Sequence, residues 1–78
     1  MQLEILTPEK TLFSGEVDSV TLPGTVGIFT VLPNHAPMIS SLRPHGEVSY
    51  IQGDKREVLV IGGGFVQVRK NQIILCVS

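Results

Sequence analysis

Tryptophan is absent from this sequence, alanine occurs once, at position 36, and cysteine once, at position 76. A lone thiol cannot close a disulfide within the chain, so the covalent staples of many small secreted domains are excluded. With one alanine, the best helix former is all but missing. Charge of one sign is scarce too: six basic against seven acidic side chains leave a net charge of −1, and no run of like charge exceeds two residues. Such a balance builds no positive field for nucleic acid or an anionic membrane surface, and neither partner is expected. Long hydrophobic runs are also missing. The longest, Val58 to Val66, is interrupted by three glycines, whereas a membrane-spanning helix needs roughly 20 apolar residues. No direct membrane insertion is expected. The opening Met1-Gln2-Leu3-Glu4-Ile5-Leu6 has no basic leader and no small-residue cleavage site, which predicts a protein that stays in the cytosol.

What is present is β-branched: 10 Val, 7 Ile and 5 Thr. These side chains are stiff at the first torsion and favour extended backbone. The 8 Gly and 5 Pro fall between the apolar runs and cut the chain into pieces of roughly 5 to 8 residues, the usual length of strands. No helical period persists, and no internal repeat occurs. Residues 1–78 are therefore expected to form one all-β domain, a flattened antiparallel sandwich or barrel of about 8 to 10 short strands. A chain this short buries only roughly two thirds of its unfolded surface, which leaves room for extra stabilisation by a partner.

Strands are predicted over Gln2 to Leu6, Thr11 to Phe13, Glu16 to Leu22, Gly27 to Leu32, Met38 to Leu42, Glu47 to Gln52, Glu57 to Ile61, Phe65 to Arg69 and Gln72 to Val77. Ser14-Gly15 reads as a turn, and the shift of apolar parity between Val17 and Val20 reads as a bulge near Asp18-Ser19. Both faces of the Gly27 to Leu32 strand look partly covered. The Val58-Leu59-Val60-Ile61 run predicts a strand in the middle of a sheet. Lys70-Asn71 closes a tight hairpin, where Asn tolerates the left-handed conformation.

Reactive groups are few. Gly62-Gly63-Gly64 precedes a strand rather than a helix, so it reads as a bulge or a close backbone approach, not a phosphate cradle. His35, His45 and Cys76 lack the short spacing of a zinc site, and no metal is expected. The histidines sit in turns, where exposed imidazoles are ordinary; Cys76 reads as a small buried hydrophobe. No base stands near Ser14, Ser40, Ser41 or Cys76 in an elbow motif, and the carboxylates are scattered. No catalytic residue and no cofactor are expected. The stretch Pro23 to Leu42 stands out instead: apolar, and stiffened by prolines and glycines. It either caps one end of the sandwich or forms a protein-contact surface, and the second reading is favoured.

Within it, Gly27-Ile28-Phe29-Thr30-Val31-Leu32-Pro33-Asn34-His35-Ala36-Pro37 resembles the signature of the epsilon subunit of F-type ATP synthases. Thr7 to Val17, with its Leu12-Phe13-Ser14-Gly15-Glu16-Val17 core, resembles that family's opening. Leu42, Gly46 and Glu47 to Tyr50, then Ile61 to Val68 with the triple glycine, and finally Asn71 to Val77 are similar to its later strands. The resemblance implies a ten-stranded flattened sandwich serving as a non-catalytic rotor subunit of the central stalk. It would bind the gamma subunit and the c-ring on the cytoplasmic face of the cell membrane, helping to couple ion translocation to ATP synthesis. Carried onto this sequence, Gly24, Thr25, Val26, Gly27 and Ile28 would face the c-ring, and His35, Ala36, Met38, Ile39 and Ser41 the gamma subunit. The family commonly continues into a helical hairpin that inhibits ATP hydrolysis and in some members binds ATP. This sequence stops at Ser78, so no C-terminal helical domain and no nucleotide site are expected. The competing expectation, from size and fold alone, is a free-standing β-sandwich ligand-binding module, marked by an apolar cleft away from Pro33 to Pro37.

Overall fold

The computed structural model describes residues 1–78 and contains nine strands: β1 (Gln2–Leu6), β2 (Thr11–Glu16), β3 (Ser19–Pro23), β4 (Ile28–Val31), β5 (Met38–Leu42), β6 (Gly46–Gln52), β7 (Lys55–Ile61), β8 (Gly64–Arg69) and β9 (Gln72–Val77). They form a five-stranded sheet in the order β2-β1-β9-β8-β5 and a four-stranded sheet in the order β4-β3-β6-β7. The architecture is the expected β-sandwich, with nine strands rather than the ten that the resemblance implies. Pairing is antiparallel except between β1 and β9, which run parallel with Leu3 opposite Ile73 and Ile5 opposite Leu75.

Alternation puts one apolar set from each sheet into a common core. Leu3, Ile5, Leu42, Val66, Val68, Ile73, Leu75 and Val77 come from the five-stranded sheet, and Val20, Leu22, Val31, Val48 and Ile61 from the other. Each such side chain contributes about 1.5–3 kcal/mol by leaving water. Phe13 and Tyr50 bridge the layers at one side, their ring centroids 4.4 Å apart.

The residues read as a turn at Ser14-Gly15 instead continue β2, because Gln2, Leu3 and Glu4 pair with Glu16, Gly15 and Ser14. The parity shift beyond Val17 is not a bulge but a change of sheet. The Val17 amide donates to the Met1 carbonyl (2.9 Å) and the next amide, that of Asp18, donates to the Ile51 carbonyl (2.7 Å). The register irregularity lies instead in the β1–β2 pair, where Ile5 faces Phe13 and Leu6 faces Thr11. Leu12, between them, is left 41% exposed.

Strand β7, expected in the interior of a sheet, is an edge. Its Val58 and Val60 stay on the surface because nothing covers the outer face of the four-stranded sheet. On β4, another edge, only Phe29 and Val31 turn inward; Ile28 is exposed, as is Leu32 just beyond it. Cys76 is half-buried rather than buried, since alternation with the inward-facing Leu75 and Val77 sends it to the outer face. Of the triple glycine, Gly63 and Gly64 have φ of 112° and 140°. A side chain at Gly64 would collide with the Cys76 carbonyl, which is the close backbone approach read from the sequence.

A candidate docking surface along one edge of the sandwich

The residues assigned to two partners lie along one path. Loop Gly24–Gly27 joins β3 to β4 and carries Val26 and Thr25 outward; Val26 is fully exposed, while Gly24 is buried at the base. Glycine is required at position 24, because a Cβ there would stand 2.7 Å from the Gly27 carbonyl oxygen and 2.9 Å from the Phe29 ring. The Gly27 amide closes the loop on the Gly24 carbonyl at 3.2 Å. Gly24 also forms a β-bridge with Leu42, across the two sheets.

Strand β5 then runs away from that loop. Its outward residues are Ile39, 73% exposed, and Ser41, while Met38 turns inward and packs against the core. At the far end, roughly 15 Å along the strand, lies Leu32 to Pro37. Pro33 followed by Asn34 with φ of 65° matches the residue order of a type II turn. His35 is half-buried rather than exposed, with Nδ1 2.7 Å from the Ala36 carbonyl oxygen, and Ala36 itself is exposed. Thr25, Val26 and Ile28 thus stand at one end of the edge, His35 and Ala36 at the other, with Ile39 and Ser41 between them.

Cross-strand pairing adds residues that the sequence reading left out. Ile39 faces Gln67 and Ser41 faces Phe65 on β8, and Phe65 in turn faces Cys76 on β9. With Leu6 opposite Cys76 on β1, Phe65, Cys76 and Leu6 form an apolar row across the outer face of the five-stranded sheet. Along it lies a groove of ≈ 490 Å³ lined by Leu6, Pro8, Phe65 and Cys76 among others. The signal was present in the unbroken apolar run Ile73 to Val77: a strand apolar at every position has two apolar faces.

The surface carries no reactive constellation. No three His, Cys, Asp or Glu side chains converge anywhere in the sandwich, His45 lies in the exposed β5–β6 turn with φ of 61°, and the structure has no helix that is long and apolar enough to cross a membrane. What the edge offers is shape and apolar area.

Comparison with known proteins is consistent along the whole chain. An ATP synthase epsilon chain of Magnetococcus marinus is 47% identical over 78 residues, covering 100% of this chain and 56% of that protein. One of Leptospira interrogans is 42% identical over 73 residues, covering 94% of this chain and 57% of its relative. The chain therefore spans little more than half the length of the curated relatives that it matches. Among solved structures, a chain of the Euglena gracilis mitochondrial ATP synthase, in a structure that includes the c-ring, superposes with a TM-score of 0.88 at 24% identity over 96% of this chain and 48% of that one. A chain from the central stalk and c-ring of Tetrahymena thermophila mitochondrial ATP synthase gives 0.82 at 16% identity, over 97% of this chain and 61% of that one; at these identities both show the fold. The family model for the β-sandwich domain of the ATP synthase delta/epsilon chain matches residues 1–78, and the chain belongs to that family.

Proposed function

We propose that this sandwich is a non-catalytic docking element of an ATP synthase central stalk, placed peripherally at the cytoplasmic face of the membrane and binding the gamma subunit and the c-ring. The observation that carries the reading is the joint one of family and surface. A family match over residues 1–78 coincides with an exposed apolar edge, Val26 and Ile28 at one end and Ile39 along the strand, on a scaffold without a reactive cluster. On this reading Gly24, Thr25, Val26, Gly27 and Ile28 meet the ring. His35, Ala36, Ile39 and Ser41 meet gamma, and Met38 supports them from beneath. A sandwich whose two contact regions are joined through strand β5 transmits force between them with little slack, since paired strands deform less than free loops.

The apolar groove at Leu6, Phe65 and Cys76 lies away from the Pro33 to Pro37 loop and is the feature that favours a ligand-binding module. Small-molecule sites combine an apolar lining with a few convergent polar groups that orient the ligand. Here the polar contributors are Thr7 and Ser78 at the rim, which fits cover by a protein surface better than capture of a ligand.

The test is direct association. Mixed with purified gamma subunit at micromolar concentration, the chain is expected to co-elute on a sizing column. Separate elution of the two counts against the assignment.

A further inference from the structure

The loop that carries His35 and Ala36 is poor in bonds of its own. Pro33 and Pro37 have no amide hydrogen to give, and outside the strand ladders no backbone–backbone hydrogen bond involves residues 33 to 37. The loop is held from outside, by a side chain 37 positions further along the chain. The Asn34 amide donates to Asn71 Oδ1 at 2.9 Å, and Asn71 Nδ2 donates to Asn34 Oδ1 at 3.0 Å. Both residues have positive φ, 65° at Asn34 and 56° at Asn71, the conformation that asparagine tolerates better than other residues with side chains. Asn71 is itself anchored. It lies in the turn of the β8–β9 hairpin, where Arg69 faces Gln72, and its carbonyl accepts from the Gln2 amide at 2.9 Å.

We propose that Asn71 is the positioning residue of the partner-facing loop: it fixes the backbone at Asn34 and so presents His35 and Ala36 already in their docking conformation. The proposal rests on the docking reading above and deepens it. A loop that must be ordered at the moment of binding loses affinity to conformational entropy, and one clasped beforehand does not. The clasp also links the contact loop to β9 and β1, strands at the centre of the five-stranded sheet, so load on the loop passes into the sheet interior as well as along β5.

Glycine accepts positive φ at either position, which separates loss of the clasp from backbone strain. The experiment uses the full chain, its Asn34→Gly, Asn71→Gly and double variants, and purified gamma subunit. In the free chain, amide hydrogen exchange at residue 34 is expected to quicken about tenfold or more in Asn71→Gly while exchange at Val66 and Leu75 is unmoved. Affinity for gamma is expected to fall about tenfold in Asn71→Gly and about threefold in Asn34→Gly, with the double variant no weaker than Asn71→Gly, because both changes break one clasp. Equal exchange at residue 34 in wild type and Asn71→Gly overturns the clasp. Quickened exchange with undiminished affinity, or independent losses that multiply in the double variant, overturns its role in docking. If wild-type chain fails to bind gamma, the functional reading falls, and the exchange data still decide whether Asn71 holds the loop.

Discussion

The amide of Thr25 donates to the carbonyl of Ser41 at 3.1 Å, so the loop assigned to the c-ring is hydrogen-bonded to the strand assigned to the gamma subunit. Beside it the Arg43 amide donates to the Pro23 carbonyl at 2.8 Å, and Gly24 bridges Leu42. These contacts stitch the four-stranded sheet to the five-stranded one where the two proposed docking regions adjoin.

Gly24→Ala is expected to strain this junction, since the added methyl meets the Gly27 carbonyl and the Phe29 ring. The expected cost is about 1–3 kcal/mol, read as a lower urea midpoint. Gly27→Ala is the control: nothing lies within 4 Å of a Cβ there, and the midpoint should hold. Equal effects of the two changes would show that the junction has room.

Val26→Asp should leave stability within about 0.5 kcal/mol of wild type, because the side chain is wholly exposed. Affinity for detergent-solubilised c-ring should fall by about tenfold or more, as a charge enters an apolar contact, with gamma binding unchanged. Undiminished ring binding would remove Val26 from that interface.

Ile39→Glu separates docking from folding more cleanly than any change at Met38, which packs against the core. Ile39 points outward and is 73% exposed, so its melting temperature should barely move. Gamma affinity measured by titration calorimetry should drop by about tenfold or more. A variant that binds like wild type would take Ile39 out of the contact.

Tyr50 titrates above its ordinary value of 10.0, first because burial disfavours the phenolate and second because Glu57 repels it; the two residues face each other across β6 and β7. The folded state therefore holds a proton that the unfolded state releases more readily. This contribution to stability is full below the unfolded value and is lost as pH rises through the raised folded one. Between about pH 8 and about pH 11, wild type should lose more stability than Tyr50→Phe, whose other titrating groups are the same. Parallel losses in urea midpoint would show that the phenol's surroundings do not shift it.

Where strands begin and end was largely legible. The Lys70-Asn71 hairpin forms with Asn71 left-handed, as its sequence predicts, and Gln2–Leu6, Met38–Leu42 and Gln72–Val77 match the predicted bounds. The failures have two causes. Val58 and Val60 read as interior because strand-forming apolar runs usually are, yet a strand becomes central only if another pairs with its free side. Cys76 read as buried because its neighbours are, although period-2 alternation sends it the opposite way. The candidate edge was half visible: Val26, Ile28 and Ile39 stand in the conspicuous stretch Pro23 to Leu42, whereas Leu6, Phe65 and Cys76 join them only through cross-strand register.

The sequence by itself determined the all-β class and the bounds of strands such as β1, β5 and β9, because propensity, alternation and turn chemistry act between residues close in the chain. Tertiary structure alone decided how the strands divide between two sheets, which of them are edges, that β1 and β9 run parallel, and that Asn71 reaches Asn34. Each of those outcomes depends on which segments, far apart in sequence, lower the free energy most by burying their apolar faces against one another and satisfying the backbone groups thereby hidden from water.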